Sequence, residues 1–240
     1  MEENQKITKQ EKRLLRREER SLEQIQVARK RLFRKITMWT GIFAGLGLTL
    51  YLMILFVNRP LPETKLTTEI SANDHIKGNP AALTTLVEYS DFQCPACASY
   101  FPLVKKLLEE NDDAIRFVYR HFPLPQHKNA RLAASVAEAA GLQNKFWEMH
   151  DLIFENQFRW ENLSNAKASE EFTKYATQLG LNLPKFTTDL DSEELKTRVE
   201  ADYLSGNASG VNSTPTFFLN GKKMLQPRDY ENFKNIVLGA

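Results

Sequence analysis

The chain is 240 residues long, enough for one ordinary domain plus appendages, and its 42% apolar and 26% charged residues allow a globular core. The net charge of +2 is unevenly spread: residues 1–35 carry 12 Lys/Arg against 6 Asp/Glu, residues 58–240 carry 20 against 24, and residues 36–57 carry none. Mixed charge and few aromatics in the basic segment argue against nucleic acid as a partner.

In chain order, that basic segment comes first. It has strong helix formers, no Gly or Pro after Met1 and a thin apolar stripe, and it reads as a cytoplasmic helical arm. Ile36–Val57 follows, 22 uncharged residues that span about 33 Å as a helix, against a bilayer core of about 30 Å. The run is longer than the apolar region of a cleaved signal peptide, and no small-x-small pattern follows it, so it reads as an uncleaved signal anchor. Lys30, Arg31, Arg34 and Lys35 crowd its N-terminal end. This predicts a single-pass membrane protein with its N-terminus in the cytoplasm and residues 58–240 outside. Residues 58–80 are polar, contain proline and lack periodicity, the pattern of a tether, and a domain over 81–240 is expected to begin near Ala81.

Ala82–Tyr89 has the β-branched, apolar pattern of a buried strand. A helical run over Ala96–Asn111 and a second strand over Ile115–Tyr119 come next. A long helical region, about 129–209, shows apolar residues at helical spacing, with Gly141, Gly180 and Gly206 where helix ends are expected. Thr216–Leu219 and Lys223–Leu225 flank Asn220-Gly221, a strong hairpin signal, and a last helix is expected from about Arg228 to Val237. The order β-α-β, helices, β-β-α is that of an α/β thioredoxin fold with a helical insertion, preceded by one transmembrane helix.

The only cysteines are Cys94 and Cys97, in Phe92-Gln93-Cys94-Pro95-Ala96-Cys97, after the first strand and at the opening of a helix. A cysteine at a helix N-terminus meets unpaired N–H groups and the positive end of the helix dipole, which favour thiolate. The second, one turn in, can close a small disulfide ring with it. A zinc site would need further ligands, such as His121 and His127, and a purely structural disulfide over so short a loop would stabilise little. Ser213-Thr214-Pro215-Thr216 stands directly before a strand, where a proline implies either a turn or edge position, or a cis peptide bond at Thr214–Pro215.

Three segments, LVEYSDFQCPACASYFP, YRHFPLPQHKNARLAASVAEAAG and GVNSTPTFFLNGKK, carry a resemblance to the DsbA-like thioredoxin proteins, closest to the membrane-anchored Gram-positive type represented by BdbD. It covers most of residues 80–240. The resemblance implies a protein thiol–disulfide oxidoreductase with Cys94 as exposed nucleophile, Cys97 as resolving thiol, and Thr214 and Pro215 as a cis-Pro loop beside them. Glu88 matches a buried acid of the family. In an apolar strand its pKa rises and it can relay the proton of Cys97, the alternative being a strand-end residue that reaches solvent. Beyond the cysteine pair no cofactor is implied. The implied partners are reduced or unfolded secreted proteins and a quinone-linked DsbB- or BdbC-like membrane protein. Pro-Ala stands between the cysteines where the most oxidising members have Pro-His, so Cys94 is expected to be less acidic than theirs. A membrane-anchored reductase or isomerase, and a non-enzymatic chaperone or scaffold, are the alternative readings.

Overall fold

In the computed structural model the described residues are 9–57 and 64–239, so residues 1–8 of the basic arm and 58–63 of the expected tether lie outside them. The chain divides into two units, Met1–Pro62 and Glu63–Ala240. In the first, α1 (Lys9–Val57) is one 49-residue helix running without a break from the basic arm through the charge-free stretch. Its described side chains are all exposed. Among the described residues it is the one helix long and apolar enough, by length and composition, to cross a membrane.

The second unit is built on a five-stranded sheet. Its strands are β1 (His75–Gly78), β2 (Thr84–Ser90), β3 (Ile115–His121), β4 (Thr216–Leu219) and β5 (Lys222–Lys223), in the spatial order β1-β3-β2-β4-β5. β2 and β3 are parallel, joined through α2 (Pro95–Asn111), and the other pairings are antiparallel. Side chains alternate between the two faces of a strand. Leu86, Phe117 and Phe217 pack with the helices in the main core, while Val87, Tyr89, Val118 and Phe218 form a smaller core on the other face. Asn220 and Gly221, both at positive φ (48° and 79°), make the β4–β5 turn.

Residues 64–80 are not a free tether. β1 pairs with the outer edge of β3, and at the opposite edge the Leu66 N–H donates to the Gly221 carbonyl at 2.8 Å and the Lys223 N–H to that of Thr64 at 2.9 Å. One segment thus caps both edges of the sheet, which would otherwise present unpaired backbone. Between these ends it is held by Arg120, 2% exposed. The Arg120 guanidinium donates to both Asp74 carboxylate oxygens (2.7 and 3.1 Å), to the Thr68 and Glu69 carbonyls and to the Tyr89 hydroxyl. A buried arginine has to be paired on every side, and this requirement draws the segment into the fold. The polar sequence of 58–80 hides it.

Between β3 and β4 lie six helices: α3 (Ala130–Gly141), α4 (Phe146–Glu155), α5 (Gln157–Trp160), α6 (Asn165–Gln178), α7 (Leu183–Leu190) and α8 (Glu193–Ala208). A final helix, α9 (Tyr230–Leu238), closes the chain. Gly180, at φ +70°, follows α6 as expected, but Gly206 lies within α8. A Cβ there would meet the Phe122 ring at 2.6 Å, so Gly206 is a packing position, and Gly210 (φ +69°) takes the left-handed one. The whole is a thioredoxin fold carrying a helical insertion.

Candidate active site

β2 ends at Ser90 and the chain turns through Asp91, Phe92 and Gln93 into α2, with Cys94 as N-cap in extended conformation (φ −75°, ψ 122°) and Pro95 in the first turn. Proline suits that position because its missing N–H has no intrahelical partner to lose. The Asp91 carboxylate, fully enclosed, shapes the turn: it accepts from the Gln93 N–H at 2.7 Å, the Leu124 N–H at 2.8 Å and His127 Nδ1 at 2.7 Å.

The insertion grips the same turn. The Gln157 side chain donates to the Phe92 carbonyl (2.7 Å) and the Cys94 carbonyl (3.0 Å), and the Gln93 amide donates to the Glu161 carbonyl (2.6 Å) and accepts from the Asn129 N–H (2.7 Å). These amide contacts hold the Cys94 loop in register with α3 and α5. Nothing in the spacing of Gln93, Asn129 and Gln157 signals them. The tandem of a buried-strand pattern and CxxC located the turn, but not what braces it.

Cys94 and Cys97 are both free thiols, 7% and 0% exposed. Cys94 is less open than the exposed nucleophile expected, because its sulfur is tucked against the loop before β4, where the thiol donates to the Thr214 carbonyl at 3.5 Å. The Thr214–Pro215 peptide bond is cis. The two thiols differ sharply in acidity. A hydrogen bond from the Cys97 thiol, helped by the Thr214 side chain and the Cys97 and Ala96 N–H groups and opposed by burial, lowers the Cys94 pKa to about 5. The missing Pro-His imidazole therefore does not leave an ordinary thiol, since the helix amides and the second cysteine supply the stabilisation. Burial, the hydrogen bond to Cys94, and the charges of Cys94 and Glu88 push Cys97 well above the usual thiol range.

Glu88 lies on β2, in register with Tyr119 of β3 and Phe217 of β4. It is 5% exposed, so it does not reach solvent at a strand end. Burial raises its pKa to about 7 against a smaller opposing effect of the Ser90 side chain. Cys94, Cys97, Thr214 and Pro215 are thus gathered at one place, with Glu88 beneath, close enough for its charge to act on Cys97.

The four histidines each pair with a carboxylate. His75 and His121 each place Nε2 2.9 Å from the same Glu138 oxygen, and His127 pairs with Asp91. His75, His121 and Glu138 are the one group of at least three metal-ligating side chains that the described residues bring within 4.8 Å of one another, and it contains neither cysteine.

A family model described as thioredoxin matches residues 71–238. Among curated proteins, the Na(+)/H(+) antiporter NhaA 3 of Salinispora tropica is 38% identical over 168 residues, covering 70% of this chain and 24% of the antiporter. NhaA of Herminiimonas arsenicoxydans is 40% identical over 151 residues, covering 63% and 23%. The chain thus spans about a quarter of the length of these relatives. Among solved structures, BdbD from Bacillus subtilis (oxidised) is 24% identical with a TM-score of 0.62, covering 73% of this chain and 97% of that one. The alpha-DsbA1 of Wolbachia pipientis is 21% identical with a TM-score of 0.62, covering 76% and 93%. A thioredoxin-like oxidoreductase from Silicibacter pomeroyi is 23% identical with a TM-score of 0.59, covering 70% and 92%. These likenesses extend over nearly the whole of each structure and show a shared DsbA-type fold. With the family model spanning most of its length, the chain belongs to the thioredoxin family.

Proposed function

We propose that this chain is a thiol–disulfide oxidoreductase of the membrane-anchored BdbD type, introducing disulfides into secreted or surface proteins through Cys94 and Cys97. The observation that carries the reading is the divergence between the two thiols: Cys94 is drawn down to about 5 while Cys97 is pushed up. A substrate thiolate attacks Cys94 of the oxidised pair, the Cys94–Cys97 bond breaks, and Cys97 departs and takes up a proton. The second substrate thiol then attacks the substrate sulfur, and Cys94 leaves as the stabilised thiolate. In this scheme Glu88 supplies the Cys97 proton, and Thr214 and Pro215 line the approach to Cys94. The cysteine pair is the whole redox centre, and no dissociable cofactor takes part.

The charge-free part of α1 serves as the anchor, with residues 1–35 in the cytoplasm and the cysteine-bearing unit outside. Reduced or unfolded secreted proteins are the substrates. A quinone-linked DsbB- or BdbC-like membrane protein reoxidises the pair, and the shared membrane raises its effective concentration. Cation–proton exchange, named for the curated relatives, is not carried over, because about three quarters of each antiporter lies outside the aligned segment.

The test is the redox equilibrium of the full chain in detergent against glutathione. A potential between about −120 and −200 mV is expected. A value at or below about −250 mV overturns the oxidant assignment in favour of an electron-fed reductase. Intact cellular function in Cys94→Ser would overturn the enzymatic reading in favour of a chaperone or scaffold.

A further inference from the structure

Asp91 is bonded through its backbone to both cysteines. Its carbonyl accepts from the Cys94 N–H at 3.0 Å, and its N–H donates to Cys97 Sγ at 3.4 Å. A shift of this residue therefore moves both sulfurs. What holds it in place is its side chain, which is fully enclosed. Oδ1 accepts the Gln93 N–H, and Oδ2 accepts both the Leu124 N–H and His127 Nδ1. Burial pushes the pKa of the carboxyl up, and these three bonds pull against it. With backbone N–H groups on both oxygens the carboxylate form is favoured, so His127 Nδ1 is the donor in its contact.

His127 is itself fixed at the entry to the helical insertion. It closes a turn by donating its N–H to the Leu124 carbonyl at 3.0 Å, and its carbonyl accepts from the Ala130 N–H at 3.1 Å, where α3 begins. One oxygen of Asp91 thus grips both ends of the 124–127 turn. The His127 side chain is 20% exposed against none for Asp91, so His127 is the member of the pair that meets solvent. Its side-chain bond goes to the carboxylate and not to a sulfur, so it acts on the cysteines through Asp91. An enclosed carboxylate that loses such a donor keeps the cost of its desolvation, and the turn around it has to move to find another.

We propose that Asp91 and His127 are a positioning pair for the cysteine centre: the His127 Nδ1–H fixes the buried carboxylate, and the carboxylate fixes the backbone that holds both sulfurs. The proposal rests on the dithiol-exchange reading above and adds what keeps the two thiols unequal. Cys94 owes its acidity to a sulfur held against Cys97 and against the Cys97 and Ala96 N–H groups. Without the His127 bond the Asp91 turn relaxes and those contacts lengthen. The reduced form then loses stabilisation that the disulfide does not have, and the chain becomes the weaker oxidant.

The experiment equilibrates the full chain in detergent with mixtures of reduced and oxidised glutathione. The dithiol gives up two electrons and two protons, and one oxidised glutathione becomes two thiols. His127→Ala is expected to favour the chain's disulfide at least about tenfold over the parent, which is about 30 mV toward the reducing side. The Cys94 thiolate absorbance should appear at a correspondingly higher pH. His127→Asn, whose amide nitrogen stands where Nδ1 does, should restore both readings. A contact that only supports the fold destabilises both redox forms alike, so its loss lowers the melting temperature and leaves the potential where it was. If the alanine variant does not fold, His127→Phe keeps the ring, removes the donor and carries the same expectation. A parent-like potential in the folded variant, or a shift that His127→Asn does not reverse, overturns the positioning pair. Failure of the unmodified chain to exchange with glutathione at all overturns the exchange reading, and the pair with it.

Discussion

The rim and the floor of the cysteine turn lie one helical turn apart and have opposite chemistry. At the rim, Cys94 caps α2, faces the Ala96 and Cys97 N–H groups and touches the loop before β4. At the floor, Cys97 is wholly enclosed, behind Cys94 and above Glu88. Identical side chains are thus driven to opposite ends of the thiol range. The difference shows that a redox pair is made by depth. The hydrogen bond from Cys97, with the helix N–H groups, draws the rim sulfur down, while burial, with the charges of Cys94 and Glu88 added, pushes the floor sulfur up.

The largest effects should come from removing either sulfur. Cys94→Ser is expected to reduce exchange to the uncatalysed background. Cys97→Ser should keep the attack at Cys94 but accumulate mixed disulfides with substrate, visible as high-molecular-weight species on non-reducing gels. Equal behaviour of the two variants would erase the distinction between rim and floor.

A smaller effect isolates the floor. The native Glu88 carboxyl, raised from 4.5 to about 7, stays protonated where the unfolded one has already ionised. The unfolded state then binds fewer protons, so this group lowers stability as pH rises from about 4.5 to about 7, by roughly 3 kcal/mol in all. Chemical denaturation of the oxidised chain, in which neither thiol titrates, should show this slope. Glu88→Gln should abolish it and gain most over the parent at pH 8. A parent whose stability is flat over that range would show that Glu88 is not held protonated.

Smallest is the brace on the rim. Gln157→Ala strands the Phe92 carbonyl, leaves the Cys94 carbonyl only its bond from the Ala98 N–H, and is expected to cost about 1–3 kcal/mol in urea denaturation. It should also raise the pH at which the Cys94 thiolate absorbance appears. A shift in stability alone would mean that Gln157 braces the fold without tuning the thiol.

Much of the cysteine turn was readable in advance, because it depends on local pattern. A β-branched run followed closely by CxxC places a helix N-terminus at Cys94. Asn220-Gly221 announced its hairpin for the same reason. The sequence left open, by contrast, whether Glu88 is buried or reaches solvent, because a strand buried on both faces has no alternation to decide it. What escaped depends on contacts distant in sequence. β1 and residues 64–74 look like linker because their partners are Arg120, Gly221 and β3, and a four-residue polar strand has no periodicity to detect. Gly206 looked like a helix end until the Phe122 ring was found against it. The amides of Gln93 and Gln157 are invisible for the same reason.

One consequence concerns the time before the fold exists. β2, which leads into Cys94, takes β3 as one neighbour and β4 as the other, and Thr85 bonds Asn220 across 135 residues of chain. Sheets closed by such distant partners form late. At ordinary synthesis rates the stretch from Cys97 to β4 takes roughly ten seconds to appear. During that interval both sulfurs are bare, one of them destined for complete enclosure. These 240 residues hold no third cysteine, so nothing within them can capture either sulfur in the wrong pairing.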